Sequence, residues 1–142
     1  MIWKRRLKRI PKIKSVMSPF PYSIDCRESL EQAAAMMESH EIRHLPVMDK
    51  GKPVGVVSTR DLSRATGEDR RVEDVAHLEA YVVDLSTPLD RVLRHMARGH
   101  IDAALVVKKE RLVGIFTLTD ACKQFSDCLQ ANFPSRKGDE AA

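Results

Sequence analysis

Residues 53–61 read Pro-Val-Gly-Val-Val-Ser-Thr-Arg-Asp, and residues 112–120 read Leu-Val-Gly-Ile-Phe-Thr-Leu-Thr-Asp. Each stretch has a glycine, two apolar residues, a hydroxyl residue, two variable residues and an aspartate, in that order. The stretches lie 59 positions apart, and the same offset aligns residues 22–62 with residues 81–121 without a gap. The chain is therefore an internal duplication. Units as small as these usually bury their apolar faces against one another.

The pattern inside each copy predicts a strand, a helix, a two-stranded hairpin and a second helix. In the first copy, Ser29 and Gln32 form a capping box before a helix whose apolar residues recur at helical spacing. Two β-rich runs then flank a turn at residues 49–52, which predicts the hairpin. The second copy repeats each piece. We therefore expect an α/β fold in which two β-α-β-β-α repeats pack about an approximate two-fold axis.

The chain is predicted to comprise four segments. They are a basic arm (1–14), a first repeat (15–67), a second repeat (68–131) and a flexible polar tail (132–142). The arm carries +7 in a chain whose net charge is +4, so the remaining residues are acidic overall. If the arm is helical, Trp3, Leu7 and Ile10 form one apolar stripe. The stripe then packs on the body or on a dimer mate, or the arm binds nucleic acid, an anionic membrane or an acidic partner.

Composition favours a cytoplasmic protein. No apolar run approaches the roughly 18 residues that a membrane-spanning helix needs. No apolar segment follows the basic N-terminus, which argues against a secretory signal. The three cysteines, Cys26, Cys122 and Cys128, are odd in number and lack C-x-x-C spacing. They therefore predict neither a disulfide framework nor a zinc ribbon, and we interpret them as reduced structural thiols.

The duplicated motif places reactive groups where a strand passes into a helix. Ser58 and Asp61 occupy this junction in the first copy, and Thr117 and Asp120 in the second. Free N–H groups at a helix start suit a phosphate, and a carboxylate can accept hydrogen bonds from both hydroxyls of a ribose. Alternatively, the hydroxyl residues only cap the helices, with the aspartates complementing the helix dipole. The sequence leaves both interpretations open.

Other motifs are absent or incomplete. The chain has no G-x-S-x-G, P-loop or dinucleotide-binding fingerprint, and nothing pairs a nucleophile with a base. We therefore expect no catalytic residues and no enzymatic activity. His40 and His44 have the spacing of metal ligands, but a helix end separates them and nothing completes the set. No metal site is expected.

The duplicated motif and the segments that precede it resemble those of a tandem pair of CBS domains (the cystathionine β-synthase motif), often called a Bateman module. The resemblance rests on residues 16–19, residues 42–47 and the two glycine-to-aspartate motifs, and it covers residues 15–127. It implies that AMP, ADP, ATP, NAD or S-adenosylmethionine binds in clefts between the repeats. It also implies that Asp61 and Asp120 hold the ribose, that Ser58 and Thr117 lie beside the phosphate, and that apolar residues line the adenine pocket.

The two copies differ around this motif. Arg43-His44 in the first copy aligns with Asp102-Ala103 in the second, which exchanges a cation for an acid. We count Arg43 and His44 among the ligand-binding candidates, and expect them to make the first copy's cleft the better one. A hydroxyl that often precedes the first strand in ligand-binding members is replaced by Phe20-Pro21 and Glu79-Ala80. One strong site and one weak site are therefore expected.

The sequence thus predicts a regulatory sensor of adenosine ligands that signals in trans to an enzyme or transporter, since nothing else in the chain resembles a regulated domain. We also predict a homodimer, because the second repeat ends in an apolar helical stripe at Leu118, Ala121, Cys122 and Phe125. Two alternatives remain. One is a ligand-free dimeric interaction or scaffold module, and the other is a nucleic-acid binder that acts through the arm.

Overall fold

A computed structural model describes residues 2–3 and 9–133 of the chain. The first half begins with a single 3-10 turn at Ile13–Ser15. Its elements are β1 (Ser18–Pro19), β2 (Ile24–Asp25), α1 (Leu30–Ser39), β3 (His44–Asp49), β4 (Lys52–Ser58) and α2 (Thr59–Ser63). The second half contains α3 (Val72–Val75), β5 (Tyr81–Asp84), α4 (Leu89–Gly99), β6 (Ala103–Lys108), β7 (Arg111–Thr117) and α5 (Leu118–Asn132). The predicted α/β fold with two β-α-β-β-α repeats is confirmed.

Each half builds one small sheet of the same design. In the first, β2 runs parallel to β3, and β3 runs antiparallel to β4. In the second, β5, β6 and β7 repeat this order, and β1 adds to the outer edge of β7. Both hairpins turn through two residues of positive φ, Lys50-Gly51 and Lys109-Glu110. This is the backbone that a two-residue type I′ turn requires, so the turn predicted at residues 49–52 is present.

The segment that leads into each repeat packs on the other half. Ile13 and Val16 are buried in the core of the second half, while Val72 is buried in the core of the first. The N–H of Ile13 donates to the carbonyl of Thr87 at 2.8 Å, and the N–H of Val72 donates to the carbonyl of Glu28 at 2.9 Å. Because each half supplies a piece of the other's core, the two repeats are interlocked.

A third apolar cluster joins the halves near the motifs. Ala103, Leu105 and Ile115 form its buried part, with Val56, Ala80 and Leu112 packed against it. The backbones of Val56 and His77 exchange two hydrogen bonds of 3.0 Å across this contact. The glycine of each motif permits the close approach. A Cβ on Gly55 would lie 2.5 Å from the carbonyl oxygen of His77, and a Cβ on Gly114 would collide with the side chain of Met17.

Only parts of the two terminal segments are described. Trp3 packs against the core of the second half, and its Nε1–H donates to Oε1 of Gln124 at 2.9 Å. This contact agrees with the arm packing on the body, although residues 4–8, which include Leu7 of the predicted stripe, lie outside the described residues. The predicted tail also lies outside them from residue 134 onward, while Asn132 ends α5. None of the described helices combines the length and apolarity needed to cross a bilayer.

Candidate functional site

Two clefts open between the halves, and each contains one copy of the motif. The Asp61 cleft has a volume of about 280 Å³, and the Asp120 cleft one of about 610 Å³. The Asp61 cleft is lined by His44, Val56, Ser58, Arg60, Asp61, Arg64, His77, Glu79, Ala80, Tyr81 and residues 99–103. The Asp120 cleft is lined by residues 18–22, residues 41–44, Ile115, Thr117, Thr119 and Asp120.

Each cleft takes its motif from one half and its opposite wall from the other. In the Asp61 cleft, the β4–α2 junction faces Tyr81 of β5 and residues 99–103, which join α4 to β6. In the Asp120 cleft, the β7–α5 junction faces residues 18–22 and residues 41–44, which join α1 to β3. A residue's copy in the sequence therefore does not tell which cleft it lines.

This crossing corrects the expectation for Arg43. We expected the Arg43-His44 pair to favour the first copy's cleft, but Arg43 lines the Asp120 cleft, and Asp102 lines the Asp61 cleft. The physical reason is the interlocked packing of the halves. The Arg43 carbonyl accepts from the N–H of Thr59 in its own half at 3.0 Å, whereas the cleft that Arg43 lines belongs to the motif of the other half. The exchange of a cation for an acid therefore places Asp102 in the Asp61 cleft and Arg43 in the Asp120 cleft.

Both motifs form capping boxes. Oδ2 of Asp61 accepts from the N–H of Ser58 at 2.8 Å, and Oγ of Ser58 accepts from the N–H of Asp61 at 3.2 Å. Asp120 and Thr117 make the equivalent bonds at 2.9 and 3.4 Å. The structure therefore contains the capping hydrogen bonds that the second interpretation predicts. It leaves Oδ1 of both aspartates without a hydrogen-bond partner among the described residues, and both side chains line clefts, so capping and ligand binding are compatible.

His44 lines both clefts and is half-buried. Burial lowers the pKa of its imidazole, because a charged ring would lose its hydration. The carboxylates of Asp102, Asp61 and Asp120 act in the opposite direction, while Arg43 lowers the pKa further. The alignment places Ala103 at the equivalent position of the second copy, and Ala103 is buried. The wall between the clefts thus carries one imidazole, neutral near pH 7.

The clefts differ in the character of their other residues. The Asp61 cleft contains Arg60, Arg64 and Glu79, none of which forms an ion pair within the described part of the chain. The Asp120 cleft has an apolar wall that comprises Pro19, Phe20, Pro21, Ile42 and Ile115. The same motif is therefore surrounded by Arg60, Arg64 and Glu79 in one cleft, and by an apolar wall together with Glu41 and Arg43 in the other.

Each cleft also contains a tyrosine that stacks on a histidine, an arrangement that was not predicted from the sequence. Tyr22 stacks on His40 with ring centroids 3.6 Å apart, and Tyr81 stacks on His95 at 4.0 Å. The tyrosines are aligned in the repeat and so carried a signal. The histidines are not, because His40 ends α1 whereas His95 lies within α4. The clefts together offer aromatic surface, a carboxylate oxygen and a helix start, a set suited to a nucleoside with an anionic group.

Comparison with known proteins gives the family. The CBS domain family matches residues 13–68 and 72–127. L-aspartate semialdehyde sulfurtransferase of Methanocaldococcus jannaschii is 29% identical over 116 residues, which cover 80% of this chain but 23% of that protein. The chain therefore spans about a quarter of the length of this enzyme. CBS domain-containing protein YhcV of Bacillus subtilis is 26% identical over 121 residues, covering 81% of this chain and 86% of YhcV.

Among solved structures, the CBS domain pair of protein MJ0100, in complex with 5′-methylthioadenosine and S-adenosyl-L-methionine, superposes with a TM-score of 0.78. It is 28% identical, and the match covers 84% of this chain and 98% of that one. These matches confirm the resemblance read from the two motifs. The chain belongs to the CBS domain family and carries two CBS domains in tandem.

Proposed function

We propose that this CBS-domain pair is a regulatory module that binds an adenosine-containing ligand in its clefts. The observation that carries the proposal is the position of Asp61 and Asp120. Each aspartate lines a cleft at a helix start and retains one carboxylate oxygen with no hydrogen-bond partner among the described residues. Support also comes from the MJ0100 domain pair, whose structure holds S-adenosyl-L-methionine and 5′-methylthioadenosine.

The site residues have distinct roles in this proposal. Asp61 and Asp120 accept hydrogen bonds from the ribose hydroxyls, and Ser58 and Thr117 lie beside the anionic part of the ligand. Arg43 and His44 contact that anionic part, Arg43 in the Asp120 cleft and His44 from the wall shared by both. AMP, ADP, ATP, NAD and S-adenosylmethionine are the candidate ligands. We rank the Asp120 cleft as the stronger site because it is larger and offers an apolar wall for the base.

The module transmits ligand binding to a separate enzyme or transporter in the cytoplasm and catalyses no reaction itself. It acts as a homodimer, because α5 leaves a row of apolar side chains exposed. Leu118 is 48% exposed, Phe125 65% and Leu129 41%. An apolar surface of this kind favours association, and two-fold symmetry would use the same patch twice. Since α5 begins at the capping box of Thr117 and Asp120, a ligand that contacts this box contacts the first turn of the helix that forms the interface.

Thermal unfolding against AMP, ADP, ATP, NAD and S-adenosylmethionine tests the proposal. A ligand present at about 100 times its Kd stabilises the folded protein by about 2.7 kcal/mol, which raises the melting temperature by several degrees. GMP serves as the control for the base. If none of the five ligands at millimolar concentration moves the melting temperature, the sensor function is refuted and the ligand-free dimeric interaction module takes its place.

The nucleic-acid alternative concerns the arm, most of whose basic residues lie outside the described part of the chain. Its test is binding to a DNA or RNA duplex at several salt concentrations. Counterion release would make the affinity fall steeply with added salt. Duplex affinity that persists at physiological salt, together with no response to adenosine ligands, would favour this alternative.

A further inference from the structure

The rim of the Asp120 cleft carries an aromatic residue in an unusual conformation. Phe20 lines this cleft, its side chain is 89% exposed, and its φ is +51°. A bulky residue in the left-handed region is uncommon, and the proline that follows restricts the backbone of Phe20 further. The surrounding structure holds the residue in place. Pro19 pairs with Gly114 in the sheet, and the N–H of Phe20 donates to the carbonyl of Val113 at 3.1 Å.

The packing of the two halves does not require a left-handed residue at the position of Phe20. The equivalent position in the second copy is Glu79, which lines the Asp61 cleft and has no positive φ. The second copy thus makes the same approach to the first with a charged residue in a relaxed backbone. Strain that persists at one of two equivalent positions points to a role in that cleft, because strained residues concentrate where ligands bind.

The neighbours of Phe20 indicate what it contacts. It stands on the apolar wall with Pro21, Tyr22 and Ile115, while Thr117 and Asp120 form the polar part of the same cleft. One face of the Tyr22 ring is already covered by His40. No ring of the described residues stacks on Phe20, so both faces of its phenyl ring are available to a flat, apolar group. A ligand with a ribose on Asp120 carries such a group in its purine base.

Building on the proposed function, we propose that Phe20 stacks on the purine base in the Asp120 cleft and makes this cleft the tighter of the two. Stacking a base on an aromatic ring is favourable for any purine and buries a ring that otherwise faces water. The Asp61 cleft has Glu79 at the equivalent position, and its tyrosine, Tyr81, is already stacked on His95. Selectivity for a ligand with a base over a bare sugar phosphate then resides mainly in the Asp120 cleft.

Isothermal titration of AMP and of S-adenosylmethionine tests this inference in two backgrounds. In Asp61→Ala protein, where the Asp120 cleft dominates binding, Phe20→Ala should weaken both ligands about tenfold or more, and Phe20→Tyr should retain them. In Asp120→Ala protein, Phe20→Ala should change the remaining affinity by less than about twofold. Ribose 5-phosphate, which lacks the base, should bind equally with and without Phe20.

A second variant separates binding from folding. Glycine adopts a φ of +51° without strain, so Phe20→Gly should leave the melting temperature of the ligand-free protein unchanged or raise it. The same variant should weaken AMP as much as Phe20→Ala does. If the role of Phe20 were purely structural, the variant would not lower AMP affinity while leaving the melting temperature unchanged.

Three results would overturn the inference. Unchanged AMP and S-adenosylmethionine affinity of Phe20→Ala in the Asp61→Ala background would refute stacking while leaving the proposed function intact. Conversion of a dimer to a monomer by Phe20→Glu would assign the exposed ring to a contact between subunits. Failure of the unmutated protein to bind either ligand would refute the proposed function and this inference together.

Discussion

The Asp61 and Asp120 clefts share a motif and a stacked tyrosine, but differ in size and in most of the other residues that line them. The Asp61 cleft is smaller, lined with charges of both signs, and followed by the five-residue helix α2. The Asp120 cleft is larger, has an apolar wall with an exposed aromatic ring, and leads into the fifteen-residue helix α5. After duplication, the capping boxes and glycines that hold the backbone have stayed alike, while the surrounding walls have diverged.

The interlocked packing explains how such divergence arises. Because each cleft takes its far wall from the other half, a substitution in one copy changes the cleft around the other copy's motif. Replacement of a cation by Asp102 in the second copy alters the cleft of Asp61, not that of Asp120. A duplicated pair built this way can specialise one site without disturbing the motif beside it.

The largest expected effect concerns the helix that follows the Asp120 cleft. We predict that Phe125→Asp converts a dimer into a monomer, because an unpaired carboxylate is costly to bury among apolar side chains. Light scattering at micromolar concentration would then give about 16.1 kDa, the mass of one chain. Gln130→Asp, on another side of α5, is the matched control and should remain dimeric. A monomeric unmutated protein would refute the prediction that α5 forms an interface.

Next in size is the difference between the two aspartates. Asp120→Asn should weaken the tightest-binding adenosine ligand by about 10- to 100-fold, because a charge-assisted hydrogen bond contributes about 1.5–3 kcal/mol. Asp61→Asn should leave that tightest affinity nearly unchanged and affect a weaker second binding event. Asparagine keeps the shape of the capping residue, so it isolates the lost charge. Calorimetry that shows two equal sites in the unmutated protein would contradict the ranking of the clefts.

A smaller effect is expected on protein stability when the glycine of each motif is replaced by alanine. Gly55→Ala should destabilise the protein by about 1–3 kcal/mol, since its Cβ would press on the fixed backbone of His77. Gly114→Ala should cost less, because its Cβ meets the flexible side chain of Met17. Gly67→Ala has no atom within 4 Å of the added carbon and serves as the control. Urea unfolding measures all three, and equal losses at Gly55 and Gly114 would contradict the argument.

Much of the fold could be predicted because its signals are local. The Ser29 helix cap and the hairpin turns depend on neighbours along the chain, and the 59-residue offset between the copies is visible in the sequence itself. The ends of the elements carry weaker signals. Tyr22, which opens the aligned segment, lines the Asp120 cleft, and β2 comprises only Ile24–Asp25.

The parts of the site that could not be predicted depend on contacts between halves. Arg43 and Asp102 line clefts opposite to their own motifs, and periodicity carries no information about that crossing. The same holds for Ile13 and Val72, whose burial in the other half's core follows from packing alone. The left-handed backbone of Phe20 could not be predicted either, because a residue that precedes proline favours an extended conformation.

The smallest expected effect tests the wall that the two clefts share. Burial holds the pKa of His44 below its usual value of about 6.5, so the ring is neutral at pH 7 in the ligand-free protein. An anionic ligand in either cleft raises that pKa and favours a proton on His44. Affinity should therefore increase a few-fold as pH falls from about 8 to 6, with the gain complete below the pKa of the ligand-free protein and lost as pH rises through that of the complex.

Titration of AMP across this range measures the effect, and the AMP phosphate itself gains a proton near pH 6. The informative quantity is therefore the difference in pH dependence between the unmutated protein and His44→Asn. His95 lines neither cleft. The control variant His95→Asn should therefore show the same pH dependence of AMP affinity as the unmutated protein. If His44→Asn shows the same pH dependence, the imidazole does not sense the ligand. In that case the imidazole keeps the same protonation state when the ligand binds.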